Sequence, residues 1–226
     1  MYTTGLESPL QKNIIKCNHL LDLTSASLSF LRNELNNRST SEESGPAPEL
    51  PDINSTLEKI TRSTNLEIQL IPERENENLL GILETICHVI KAPFDKNTVF
   101  NIRRISKINR QSHRPRNIIT TFPTQSHRDD ILTAYKRYNK YHKTAPLNTS
   151  HIGISGVKCN IFLSEHLTPK CKEIHIATRK IAKELGFKHV WVRNDYVYIR
   201  KYDKSPAFLI KDLADVQKLK YYDLFF

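Results

Sequence analysis

Between Leu66 and Leu163 the apolar residues switch their repeat from two to about 3.6 and back, in an order that few folds accommodate. Leu66-Glu-Ile-Gln-Leu-Ile71 alternates like a strand and stops at Pro72. Asn76 is placed to cap a helix running to about Lys91, with Leu79, Leu80, Leu83, Ile86, Val89 and Ile90 on one face. Thr98 to Ile105 and Asn117 to Phe122 again alternate as strands, separated by a polar basic loop from Ser106 to Pro115. Thr124 caps a second helix reaching about His142, and Val157 to Leu163 supplies a fourth strand. The order β-α-β-β-α-β is the split βαβ plan of ferredoxin-like and RNA-recognition folds, which assigns residues 65–164 to one RRM-like domain. Right-handed crossovers would back one sheet face with both helices and leave the other face free.

Residues 165–226 read as a small α/β unit. Thr168-Pro169 opens a helix with a cap and a proline at its first position, and Gly186 stops it after about Leu185. Val190–Arg193 and Tyr196–Lys201 make a hairpin across Asn194-Asp195, residues that tolerate positive φ. Ala207 to Ile210 adds a strand, and the chain from Ile210 to Leu219 is helical in pattern. At the other end, Leu10, Ile14, Cys17, Leu21, Thr24, Leu28, Leu31 and Leu35 follow the 4-3 spacing of a coiled-coil seam over residues 1–36. The same spacing also suits a single amphipathic helix docked on a domain. Residues 37–64 combine a linker broken by Pro46, Pro48 and Pro51 with a short helix carrying Leu50, Ile53, Leu57 and Ile60. The expected class is therefore α+β: a short N-terminal coiled-coil helix, a split βαβ domain and a small α/β C-terminal domain.

Charge narrows the partner. The formal net charge is +10, yet residues 1–64 hold 6 Lys+Arg against 8 Asp+Glu, leaving 28 against 16 for the remainder. Residues 101–143 alone carry 11 cations against Asp129 and Asp130, with arginine outnumbering lysine. Such a surplus neutralises phosphates and releases counterions, the dominant source of nucleic-acid affinity. Arg103, Arg104, Lys107, Arg110, Arg114, Arg116 and Arg137 are the candidate contacts, with Tyr135, Tyr138 and Tyr141 interspersed. A second cluster, Arg193, Arg200, Lys201 and Lys204, lies beside Trp191, Tyr196, Tyr198 and Tyr202, and Lys170, Lys172, Arg179, Lys180 and Lys183 on the preceding helix suit the other wall of a groove. Trp191, Val197 and Ile199 also fit an ordinary hairpin core. Stacking of bases on the first sheet is not expected, because Glu67, Gln69, Asn117 and Thr120-Thr121 stand where rings would be needed.

Other functions are disfavoured. The four cysteines (Cys17, Cys87, Cys159, Cys171) lack knuckle spacing, and Cys171 and His175, even with Cys159 and His166, do not make a zinc motif, so neither metal nor cofactor is expected. No glycine-rich phosphate loop or catalytic spacing of Ser, His and carboxylates is present, which argues against an enzyme. With no secretory signal and no membrane-length apolar run, the expected location is the cytoplasm, the nucleus or both.

Four stretches carry a family resemblance: residues 65–78 (NLEIQLIPERENEN), 114–122 (RPRNIITTF), 161–169 (IFLSEHLTP) and 190–201 (VWVRNDYVYIRK). From about Leu57 onward the chain resembles the baculovirus few-polyhedra protein family and, more distantly, the first open-reading-frame protein of LINE-type retrotransposons. While the 4-3 seam itself predicts weak self-association through residues 10–35, that resemblance implies a protein that binds single-stranded RNA or DNA. It places Arg103, Arg104, Arg114 and Arg116, with Arg193, Arg200 and Lys201, among the binding cations. It also implies the alternative of a structural or adaptor protein acting in virion or occlusion-body formation. Asp195 departs from the glycine frequent at that hairpin position and would set a negative charge near phosphate.

Overall fold

The computed structural model describes residues 53–107 and 111–222, so the expected helix over residues 10–35 and Arg110 lie outside the described residues. Helix α1 (Ile53–Ser63) leads into β1 (Asn65–Gln69), and Leu66 and Ile68 point from β1 into the first core. Three further strands join it: β2 (Asn101–Arg104), β3 (Ile118–Thr121) and β4 (Phe162–Glu165). The sheet order is β2-β3-β1-β4, antiparallel at every pair. Helices α2 (Leu79–Ile90) and α3 (Gln125–Tyr141) supply Leu83, Ile86, Ile90, Ile131 and Tyr135 to the core they share with Leu66, Ile68 and Ile118. The β-α-β-β-α-β order expected from the apolar repeats is the order observed.

Local chemistry shifts two boundaries. The cap of α2 is Asn78, whose side chain accepts from the Gly81 N–H at 2.9 Å, whereas Asn76 turns the chain at φ 53°. The fourth strand begins at Phe162 because the preceding residues serve a loop. There Asn148 caps the 3-10 turn Thr149–Ile152, Gly156 takes φ +117°, and Asn148 and Asn160 form an isolated bridge. Thr124 caps α3 as expected, accepting from the His127 N–H.

The second core belongs to α4 (Pro169–Glu184), β5 (His189–Arg193), β6 (Tyr196–Arg200), β7 (Phe208–Ile210) and α5 (Leu213–Tyr222). Its antiparallel sheet has the order β5-β6-β7. Asn194 and Asp195 adopt φ 54° and 59°, as a two-residue I′ turn requires. Val197, Ile199 and Ile210 pack on Cys171, Ile174, Ile181, Val216 and Leu219. Burial, with Asp195 beside it, pushes the Cys171 thiol up to about 12.

The hairpin tip ties the second sheet to the first. The Asp195 carboxylate accepts from the Thr168 N–H at 2.8 Å and from its hydroxyl at 2.9 Å, while Gln125 on α3 donates to Asn194 Oδ1 at 2.6 Å. Beneath them the buried Arg128 pairs with Asp129 at 2.6 Å and reaches Glu165 at 3.6 Å. Both cores lie within one compact unit. Asp195 is thus anchored on Thr168, not turned toward solvent as a repulsive charge.

Candidate nucleic-acid interface

Strand alternation sends neighbouring arginines to opposite sides of the first sheet. Arg104 pairs with Ile118 on the helix-facing side, where its side chain is 4% exposed and ion-paired with Glu77. Its guanidinium also donates to the carbonyls of Ile71, Pro72 and Arg116. That hydrogen bonding holds the Glu77 carboxyl below its usual range. Arg103, Arg104, Arg114 and Arg116, expected together among the binding cations, therefore do not share one side: Arg104 is an internal strut of the sheet edge. Arg116 is half-exposed but engaged, with both its backbone N–H and its Nε donating to Glu73 at 2.7 Å. These bonds, the backbone one foremost, lower the Glu73 carboxyl.

Arg103 faces the side turned away from α2 and α3, and Arg114 lies on the loop above it. Both are exposed, and among the described residues neither meets a carboxylate within ion-pair distance. Lys107 is half-buried and donates to the Ser112 carbonyl at 2.9 Å. Arg137, on α3, belongs to the helix-covered side of the sheet, where it reaches the Lys91 carbonyl at 3.5 Å. It is not brought together with Arg103. Of the tyrosines near these cations, Tyr135 is buried and bonds the Ile161 carbonyl, Tyr138 stacks on His142, and Tyr141 is exposed.

The face bearing Arg103 is partly roofed. Glu67, 1% exposed, receives Asn117 Nδ2 at 2.6 Å and Lys172 Nζ of α4 at 3.1 Å. His166 sits beside it, 2.6 Å from Arg62 and 3.2 Å from Asn65. Burial first, then the charge of Arg62, pulls its imidazole down to about 4, so the ring is neutral. Between this roof and residues 105–107 and 112–117 runs a cleft of about 230 Å³ lined by Gln69, Lys107, Arg114, Asn117 and Lys172. At its side the ladder sets Phe162, a residue 47% exposed, opposite Gln69. Phe162 was not legible as a platform residue from the apolar pattern, in which the fourth strand starts at Val157 and the rings sought on the first and third strands are absent.

On the second sheet, the register puts Val190, Val192, Val197 and Ile199 toward α4 and α5, and His189, Trp191, Arg193, Tyr196, Tyr198 and Arg200 on the opposite face. Trp191 is therefore not a core residue of the hairpin. It stacks on Tyr198 with ring centroids 5.6 Å apart and planes 13° from parallel, and the Arg200 guanidinium lies 5.9 Å from its centroid. The Nε of Arg200 is buried with no hydrogen-bond partner among the described residues. Lys59 of α1 covers the Tyr196 ring at 4.5 Å, and Lys201 lies 5.8 Å from the Phe187 ring. Arg193 is exposed at the strand end. Arginine over an indole is a cation–π contact that also preorganises the fork for an anion.

The residues weighed for metal are scattered in role: Cys171 lies in the second core, and His166 is held by Arg62 and Asn65. Among the described residues no group of three or more His, Cys, Asp or Glu is placed to share an ion. No described helix is long and apolar enough to cross a membrane.

The fold and these surfaces define a mixed α+β protein with two antiparallel sheets, each presenting cations and aromatic rings on the face its helices leave uncovered. Residues 168–220, the α4-to-α5 unit that includes the Trp191 face, match the family described as baculovirus FP protein domain 2. This match supports the resemblance to the few-polyhedra family read from the sequence. No curated protein matches the chain.

Proposed function

We propose that the protein is a non-catalytic binder of single-stranded RNA or DNA, of viral or mobile-element type, in which an RRM-like first domain and the FP-type second domain grip one strand. The observation that carries this is the Trp191–Tyr198 stack, flanked by Arg200 and Arg193 on a sheet face turned away from the helices. Aromatic platforms bind unpaired bases with little sequence preference, and neighbouring arginines neutralise the phosphates between them. Weak self-association through residues 10–35 would add avidity along a long strand. A purely apolar protein interface, the competing view of a structural or adaptor protein, would not need arginines such as Arg103, Arg114 and Arg193, which have no ion-pair partner among the described residues.

Trp191 is the sole tryptophan, so its fluorescence reports directly on this surface. Titration with short single strands should quench it, and affinity should fall log-linearly between ~50 and ~200 mM salt. Tyr198→Ala should weaken binding by about 1–3 kcal/mol, the worth of one base stacked on an aromatic ring. Strand binding without quenching, or quenching that ignores salt, would overturn the assignment.

A further inference from the structure

The cleft on the first sheet has a chemistry that the phosphate-gripping cations do not require. Its volume of about 230 Å³ is below the roughly 300–1,000 Å³ of pockets that take drug-sized ligands, and suits one flat ring. Ile105 and Pro115 give the lining apolar surface, and Lys107 and Arg114 add cations to the same lining. Two amide side chains, Gln69 and Asn117, each one residue beyond the Ile68–Ile118 pair, complete the lining. Phe162 follows Gln69 across the next pairing, so an exposed ring adjoins the amides.

The amide of Asn117 is oriented. Glu67, bridged by Lys172, is an acceptor with no donor to offer, so it takes the Asn117 Nδ2 at 2.6 Å and fixes which way the amide lies. Oδ1 is left as an acceptor that no donor takes among the described residues. Gln69 makes no side-chain hydrogen bond among the described residues and is free to turn either end of its amide to a ligand. A fixed acceptor beside an adaptable amide matches a base edge carrying an exocyclic amino group. A carbonyl in the same place, as in uracil, would set acceptor against acceptor.

We propose, building on the strand-binding function above, that this cleft seats a single nucleobase and selects cytosine or another amino-bearing base over uracil through Asn117 Oδ1. Glu67 and Lys172 act as positioning residues, holding the amide without touching the base. One neutral hydrogen bond is worth about 1 kcal/mol, which corresponds to about a fivefold preference.

The test compares oligocytidylate with oligouridylate of equal length on the full chain, by fluorescence anisotropy, with Trp191 quenching followed in the same titrations. The expected result is about fivefold tighter binding of the cytidine strand. A strand in which pyrimidin-2-one, the same ring without the amino group, replaces cytosine should lose that preference on the unaltered protein. Asn117→Ala should abolish the preference, bringing the two strands to equal affinity, and Phe162→Ala should weaken both strands equally and keep the ratio. Equal binding of the two strands with Trp191 quenching intact would overturn the cleft assignment and leave the strand-binding function standing. A preference that survives Asn117→Ala would overturn the role of Oδ1, whereas failure of every strand to bind would overturn the function itself.

Discussion

Arg103 and Arg104 are adjacent, equally charged and equally suggestive in sequence, and the structure predicts opposite behaviour for them. In Arg104→Ala the partner Glu77 keeps its charge, and the carbonyls of Ile71, Pro72 and Arg116 lose a common donor. Breaking a buried pair by removing one member costs about 3–5 kcal/mol. Glu77 is 16% exposed and recovers some hydration, so the lower end, roughly 3 kcal/mol, is expected. Arg103→Ala removes an exposed side chain with no ion-pair partner among the described residues, and should stay within about 0.5 kcal/mol. Urea unfolding measures both as a shift in midpoint at constant slope. Strand binding should show the reverse: Arg103→Ala lowers the log–log salt slope by about 0.7, and Arg104→Ala leaves it unchanged. Acid gives a third check. The Glu77 pKa lies below its ordinary 4.5 because Arg104 bonds the ionised form. Its stabilising contribution is complete above that value and is lost as pH falls through the lower folded pKa. Arg104→Ala should remove this part of the acid sensitivity. Equal destabilisation by the two substitutions, or a reduced salt slope in Arg104→Ala, would refute the division of roles.

Two further outcomes follow from the junction between the sheets. The His166 imidazole, lowered from 6.5 to about 4 chiefly by burial, should remain neutral in NMR titrations until pH approaches 4. Since the unfolded chain takes up the proton first, the linked stability is complete above about pH 6.5 and declines as pH falls toward 4. Asp195→Gly gains from glycine's ease at φ 59° but loses both bonds to Thr168, for a net cost of about 1–2 kcal/mol by urea unfolding. A more stable Asp195→Gly variant would show that the carboxylate anchors nothing.

What the sequence determined alone were the features governed by local rules. The Thr124 and Thr168 caps, Pro169 at the first position of its helix, the Asn194-Asp195 turn and the β-α-β-β-α-β order could all be read because each depends on residues near in the chain. Tertiary structure decided which charges remain available. Arg104 and Arg103 differ by one position, yet only packing shows that one side chain is enclosed by Glu77 and three carbonyls. Trp191 fits a core or a surface equally well by composition, and the pairing of Trp191 with Tyr198 away from Val197 and Ile199 settles its side. The orientation of Asn117 needs Glu67, 50 positions away, and Lys172 from a different core. Local free energies select helices, turns and alternation over a few residues, whereas charge neutralisation, stacking and amide orientation arise between groups that only folding brings within a few ångströms of each other.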